Sequence, residues 1–374
     1  MSMKWIEEEL RRLRESGLYR ERVQREGLLD FCSNDYLGLR EHPEVVEAVR
    51  RALEEYGLGS GASQLVSGYT KYHRVLEERI ASFKGTPECV LFGSGYLANT
   101  GTIPVLAGEG DLILSDELNH ASLIDGCRLS RAERRVFRHK DYEELEEILR
   151  RERKRFRRVL IVTDSVFSMD GDLADLKVLY ELSEKYGCLL YIDDAHATGT
   201  VGEGRGSLRE FGLEWRENVI LMGTLSKALG SYGAFVCGSS QLVSLLVNRA
   251  RSLIFTTSLP PLLCAGALKS LEIIEENPSL VRKLRERAEF IYRELKDLTY
   301  EVRFYGTPII PIMVGNEKRA LELALKLRER GILLQAIRYP TVPKGEARLR
   351  LTVSLRYREE DVDKLLRELK LLKP

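Results

Sequence analysis

The segment Gly223–Gly233, GTLSKALGSYG, holds one lysine, Lys227, among small and hydroxylated side chains with glycines on both sides. A lysine whose ammonium is partly desolvated has a lowered pKa and becomes a nucleophile. Its bland alternative is a solvated loop position. The apolar run CLLYIDDAH ends in Asp193, Asp194 and His196. A carboxylate there is costly unless a cation or several donors meet it, so Asp193 alone reads as a helix cap or half of a buried ion pair. FGSGYLANTG sets Gly93, Ser94, Gly95 and Tyr96 at a helix start, where backbone N–H groups and the positive dipole end suit a phosphate. It is no Walker loop, because no Gly-Lys-Ser/Thr follows, and it lacks the GxGxxG spacing; a plain tight turn would look the same. Taken together, the three features ask for one ligand. A phosphate cradle, an acid for a pyridinium nitrogen and a lysine for a Schiff base describe pyridoxal 5′-phosphate, PLP. Asp193 would keep the ring nitrogen protonated, Lys227 would hold the aldehyde, and Thr224 or Ser226 would donate to the phosphate. The glycines would let the backbone pass close to the cofactor.

These residues need a scaffold that gathers strand ends. From about Glu88 the chain alternates strand candidates (CVLF, DLILSD, RVLIVTDSVF, CLLYIDDAH, NVILMGTLS, GAFVCG) with helical stretches (LANTGTIPVLA, ASLIDGCRLSRA, LKVLYELSEKYG). The apolar runs are continuous, as in strands covered on both faces. Such alternation predicts an α/β domain around a mostly parallel sheet, whose ligand lies beyond the carboxyl ends of the strands. That is where Asp164, Ser165, Asn119, His120, Asp193, His196 and Lys227 fall. Before it, Leu10–Arg22 and its approach read as an amphipathic helix. After Pro278 the pattern changes to a long helix (SLVRKLRERAEFIYRELKDL), a strand (TPIIPIMV), a helix at Glu317–Arg330, a strand (RLRLTVSL) and a final helix (EEDVDKLLRELKLL). The expected division is an N-terminal helix and arm at 1–37, a large α/β domain at 38–275 and a smaller α+β domain at 276–374.

Composition narrows the partners. The 374 residues carry 58 Lys+Arg against 57 Asp+Glu, a net charge of +1, which argues against nucleic acid or an anionic membrane as the main partner. Cys32, Cys89, Cys127, Cys188, Cys237 and Cys264 are scattered without metal spacing; no metal site is expected, and reduced thiols fit a cytoplasmic protein. The charged N-terminus has no apolar core of a signal peptide, and no apolar run reaches the ~20 residues that span a bilayer.

The stretches SNDYLGL, SGYLAN, LNHASLIDG, DSVFSMDGD, YIDDAHATG and GTLSKALGSYG, in this order and spacing, resemble the α-oxoamine synthases, PLP enzymes of transferase fold type I. The resemblance runs from about Tyr19 to the C-terminus. It implies an acyltransferase that joins an amino acid to an acyl thioester with loss of CO2. It also implies a homodimer with shared active sites. Position by position, Lys227 resembles the Schiff-base lysine, Asp193 the partner of the ring nitrogen, and His196 the donor to the ring hydroxyl. His120 resembles the histidine stacked on the ring, and Ser165 a second contact near the hydroxyl. Gly95, Tyr96, Thr224 and Ser226 fall on the phosphate side, with Thr256 and Thr257 reaching it from the other subunit. Asn34 and Arg350 resemble carboxylate holders, and Arg20 (with Arg22 as its rival) an arm residue near the acyl carboxylate. SQLVSGYTKYHRVLEERIASFKG and PTVPKGEARLRLTVS fit the branch that condenses L-alanine with pimeloyl-CoA or pimeloyl carrier protein. The branch using glycine and acetyl-CoA reads closer to GTQ where this chain has SGYT. A PLP binder without catalysis would need neither Lys227 nor His120. One departure is Ala197, where the family commonly has glycine; it is tolerable if the backbone there needs no positive φ. His42, His73 and His139 receive no role, His73 reading as a surface or capping residue. The basic run Arg150–Arg158 reads as a solvated helix end.

Overall fold

The apolar runs form one seven-stranded sheet in the computed structural model, which describes residues 3–373. Its strands are β1 (Glu88–Phe92), β2 (Leu112–Asp116), β3 (Glu133–Phe137), β4 (Val159–Asp164), β5 (Leu189–Asp193), β6 (Val219–Thr224) and β7 (Ala234–Gly238). Across the sheet the order is β1-β7-β6-β5-β4-β2-β3. All neighbours pair in parallel except β7, which is antiparallel to both β1 and β6. Successive side chains feed two cores. Leu112, Leu114, Leu190 and Ile192 face one; Ile113, Val162, Tyr191 and Met222 face the other. That double burial is why these runs read as continuous rather than alternating.

Strand β3 has no counterpart among the expected strands. It sits at the sheet edge, and its sequence, ERRVF, buries only Phe137. An edge strand carries charge, which blocks further pairing and hides it from a hydrophobicity reading. The basic run does end a helix, Tyr142–Glu152, before β4. Its last members, Arg157 and Arg158, pair with the buried Asp111 at 3.1 and 2.7 Å.

The first helix, α1 (Lys4–Glu15), stops well short of Arg22. Ser16 caps it by donating its hydroxyl to the Arg12 carbonyl at 2.8 Å, and Gly17 turns left-handed at φ +70°, which ends a helix at low cost. Helix α2 (Lys71–Lys84) starts at a capping box in which Thr70 N–H donates to His73 Nδ1 at 3.1 Å. His73 is therefore a capping residue. Helices α3 (Gly95–Leu106) and α4 (Ala121–Leu129) follow β1 and β2. Among the described residues no helix is long and apolar enough to cross a membrane.

Beyond Ser279 the chain builds an antiparallel sheet of β8 (Ile309–Gly315), β9 (Ala336–Ile337) and β10 (Ala347–Thr352), with β10 central. The N-terminal segment is stitched to this region. Leu29–Asp30 pairs in parallel with Ile332–Leu333, Thr352 N–H donates to Phe31 O at 2.9 Å and Leu355 N–H to Tyr36 O at 2.9 Å. This brings residues 29–36 against β10.

Candidate active site at the carboxyl ends of the central strands

Strands β4, β5 and β6 end side by side, with Asp164 opposite Asp193 and Asp193 opposite Met222. The loop after β6 closes on itself. Leu225 N–H donates to Gly233 O, Gly230 N–H to Lys227 O and Ser231 N–H to Leu225 O, each at 2.9 Å. Thr224 Oγ1 donates to Gly233 O at 2.9 Å and lies 2.7 Å from Ser226 Oγ. Gly230 has φ +62°, and a Cβ on it would stand 2.4 Å from Arg40 N; a Cβ on Gly233 would stand 2.7 Å from Leu259. Protein packing gives these glycines a reason of its own.

Lys227 is half-buried, with Nζ 2.8 Å from His196 Nε2. Burial pulls its pKa down to about 8, against the opposing pull of Asp193 and Asp164. His196 is buried, and burial, Lys227 and Arg350 hold its pKa well below the usual imidazole value. Its Nδ1 lies 2.6 Å from the hydroxyl of the fully buried Tyr36. Tyr36 Oη lies 3.2 Å from Asn34 Oδ1, which also accepts both terminal nitrogens of Arg350 at 3.3 Å. Lys227, His196, Tyr36, Asn34 and Arg350 thus form one continuous polar chain. Arg350 is 7% exposed. Its Nε donates to Ser168 O at 2.5 Å and its Nη1 also to Thr352 Oγ1 at 2.9 Å; among the described residues these acceptors are all neutral.

A second chain runs through Asp193. Its Oδ1 accepts Ala195 N–H at 2.9 Å and its Oδ2 accepts the amide of Asn99, on α3, at 2.8 Å. The same Asn99 nitrogen donates to Ser122 Oγ at 2.8 Å, and its oxygen accepts Tyr191 Oη at 2.8 Å. Ser122 Oγ lies 2.7 Å from His120 Nδ1, which also accepts Ser122 N–H at 3.2 Å. Nδ1 is therefore an acceptor, and the proton of the neutral ring sits on Nε2. Partial desolvation by the surrounding protein lowers the His120 pKa while Asp193 opposes it; the residue keeps a solvent-facing side. Its backbone N–H donates to Asp164 Oδ2 at 2.7 Å. Burial, and then the charge on Asp193, raise the Asp164 pKa far above the carboxylate range.

Asp194 turns to the other side of the strand end. It forms a buried ion pair with Lys84 at 2.7 Å, both side chains 1% exposed. Lys84 also donates to Thr198 Oγ1 at 3.1 Å and Arg205 O at 2.8 Å, and Asp194 accepts the hydroxyls of Ser165, at 2.7 Å, and Ser207. The Ser165 hydroxyl also lies 3.1 Å from Asp193 O, and Ser165 is fully buried. Ala197 is buried and is not among the residues with positive φ, so its methyl replaces a hydrogen without strain.

The phosphate candidates lie at the start of α3, capped by Ser94 Oγ accepting Leu97 N–H at 3.2 Å, and at Thr224 and the exposed Ser226. Gly95 begins that helix, while the Tyr96 side chain leaves it to donate to Asp125. Thr256 is half-buried and Thr257 exposed; neither is part of the two chains above. Arg20 is on the arm, 3.5 Å from Thr341 Oγ1, in a groove of about 350 Å³ lined also by Tyr19, Leu333, Gln335, Arg338 and Tyr339. Arg22 is exposed outside that lining. Gln335 O accepts Arg350 N–H at 3.1 Å, so the groove floor backs the Arg350 strand. Motif reading did not single out Tyr36, Asn99, Asp164 or Lys84 for roles. The stretches SNDYLGL and SGYLAN contain the first two, but nothing local to them reveals their partners.

The residues present fit PLP. A half-buried amine of pKa about 8, a carboxylate oriented by two donors, an open imidazole face and a capped helix start with hydroxyls nearby are the groups its aldehyde, ring nitrogen, ring face and phosphate require.

The chain matches the aminotransferase class I and II family over residues 26–369. It is 65% identical over 361 residues to a protein of Aquifex aeolicus (strain VF5) provisionally named 8-amino-7-oxononanoate synthase, covering 96% of each chain. Among solved structures it is similar to a high-resolution structure of SPT with PLP internal aldimine, at 28% identity and a TM-score of 0.90 over 98% of this chain and 96% of that one. It is likewise similar to 8-amino-7-oxononanoate synthase from Francisella tularensis, at 28% identity and a TM-score of 0.78 over 92% of this chain and 97% of the other. With the sheet, the lysine and both polar chains in place, these likenesses put the chain in the aminotransferase class I and II family and, within it, among the α-oxoamine synthases.

Proposed function

We propose that the protein is an 8-amino-7-oxononanoate synthase: a PLP-dependent acyltransferase that condenses L-alanine with pimeloyl-CoA, or a pimeloyl carrier protein, with loss of CO2. The observation that carries the reading is Arg350. A buried guanidinium whose donors meet only neutral oxygens is an incomplete ion pair, and the carboxylate of an amino acid completes it, with Asn34 alongside. PLP, when bound, supplies the electron sink that stabilises a carbanion at the substrate's α-carbon, both on proton loss and on CO2 loss.

The chain's own residues do the rest. Lys227, with a pKa of about 8, keeps a useful free-base fraction near neutrality; it holds the cofactor and, once displaced, takes and returns the α-proton. Asp193, fixed by Asn99 and Ala195 N–H, holds a proton on the ring nitrogen. His196 donates to the ring hydroxyl. His120 presents its ring face, and its Nε2–H is free to polarise the thioester carbonyl. The start of α3 with Gly95 and Tyr96, together with Thr224 and Ser226, receives the phosphate. Ser165 sits as a second contact beside the ring hydroxyl region, its own hydroxyl held by Asp194. Arg20 holds the far end of the acyl chain.

A homodimer completes the site, with Thr256 and Thr257 offered to the partner. Val66, 79% exposed, and Phe255, 70% exposed, flank two segments tied by Ser258 N–H to Ala62 O at 2.9 Å, an apolar surface suited to burial. A monomeric active species would remove the role of both threonines. The domain division at 37/38 and 275/276 is part of the same reading; the groove is lined from both the arm and the smaller unit, which carries Arg350.

Free-thiol release by the PLP-loaded protein, with L-alanine and glycine crossed against pimeloyl-CoA and acetyl-CoA, tests the substrate assignment. Release confined to alanine with pimeloyl-CoA is expected. Release mainly with glycine and acetyl-CoA would overturn it.

A further inference from the structure

His196 has two ring nitrogens with one partner each: Lys227 Nζ at 2.8 Å from Nε2 and Tyr36 Oη at 2.6 Å from Nδ1. Buried and neutral, the ring has one proton for the two, so it donates on one side and accepts on the other. Tyr36 decides whether both arrangements are satisfied. Its hydroxyl is buried, and its other partner is Asn34 Oδ1 at 3.2 Å. That oxygen can only accept, an assignment pinned by the two Arg350 donors it already receives.

We infer that Tyr36 is a positioning residue that lets His196 exchange tautomers when the cofactor site fills. This rests on the reading of His196 as a donor to the PLP ring hydroxyl. In the cofactor-free protein the Lys227 ammonium donates to Nε2, Nδ1–H donates to Tyr36 Oη, and the Tyr36 proton goes to Asn34 Oδ1. When the ring hydroxyl takes over as partner, Nε2 must carry the proton. Nδ1 is then an acceptor, and Tyr36 turns its proton from Asn34 to Nδ1. The ring gives up its Nδ1 proton and takes one at Nε2 by exchange with solvent, and rotation of the Tyr36 hydroxyl then re-pairs Nδ1. No heavy atom moves, no buried group loses its partner, and Asn34 stays bound to Arg350 in both states. A phenylalanine fits the same space but leaves Nδ1–H without an acceptor in a buried site, which disfavours the cofactor-free tautomer.

The test is nitrogen NMR of ¹⁵N-histidine-labelled protein, cofactor-free at pH 6.5 and PLP-loaded; only five histidines contribute signals, and a His196→Asn variant identifies the one in question. In the wild type we expect the proton on Nδ1 without PLP and on Nε2 with it. In Tyr36→Phe the cofactor-free Nδ1–H population falls tenfold or more relative to Nε2–H. Nε2–H in both wild-type states would overturn the exchange while leaving His196 as the donor. Nδ1–H in both would instead overturn the donor reading itself. An unchanged tautomer ratio in Tyr36→Phe, in protein shown folded by its thermal transition, would overturn the role of Tyr36.

Discussion

Replacing Lys227 by methionine should stabilise the cofactor-free protein. The lysine titrates near 10.5 when unfolded and at about 8 in the folded chain, chiefly because burial penalises its charge. That displacement corresponds to about 3 kcal/mol of penalty on the ammonium form. The substitution also removes the contact to His196 Nε2, a loss of about 1 kcal/mol, so the net gain at pH 7 is about 2 kcal/mol. Its pH dependence follows from proton linkage. Below pH 8 the lysine is charged in both states, and the penalty is present in full. Between 8 and 10.5 the unfolded chain binds more protons than the folded one, so wild-type stability rises with pH. Above 10.5 the penalty is gone. Urea unfolding of wild type and Lys227→Met, both free of PLP, should therefore show the variant ahead at pH 7 and the gap closing towards pH 10. A variant no more stable than wild type at pH 7, or a gap that ignores pH, would refute the reasoning. The same destabilised amine is what makes Lys227 reactive, an instance of stability given up at a functional site.

Other perturbations test other parts of the structure. Asn99→Ala removes the group shared by Asp193 and Ser122 and should weaken PLP binding about tenfold or more, measured by equilibrium dialysis, while leaving the far-UV spectrum intact. Lys84→Met strands Asp194 in the core and should cost about 3–5 kcal/mol in urea unfolding; Lys84→Met with Asp194→Asn should recover most of it, and no recovery would show that packing around Lys84, not charge, dominates. Arg350→Lys loses the fork that reaches Asn34 and Thr352 and should raise KM for the amino acid by about 10- to 100-fold. For His139, burial alone would lower the pKa, but Asp116 and Asp172, each at 3.0 Å, outweigh it and lift it to about 9. The stabilisation is full below pH 6.5 and lost as pH rises through 9, so His139→Gln should be less stable than wild type by about 2 kcal/mol at pH 6 and equal to it near pH 10.

The sequence by itself determined the alternation of strands and helices, because double burial writes continuous apolar runs that need no partner to be recognised. It also placed Lys227, Asp193, His196 and His120 at strand ends, since in a parallel sheet the residues just past each run must converge. It missed β3, whose edge position removes the hydrophobic signal. It also ran the first helix past Gly17, where positive φ breaks it. It did not reveal that Arg40 and Leu259 leave no room for a side chain at Gly230 and Gly233. What only the tertiary structure decided are the partners. Tyr36 reaches His196 across 160 residues, Asn99 reaches Asp193 across 94, and Asn34 meets Arg350 across 316. A hydrogen bond leaves its mark on two atoms, not on the chain between them. Periodicity therefore reports which residues are buried, and only the folded backbone reports which buried residues face one another.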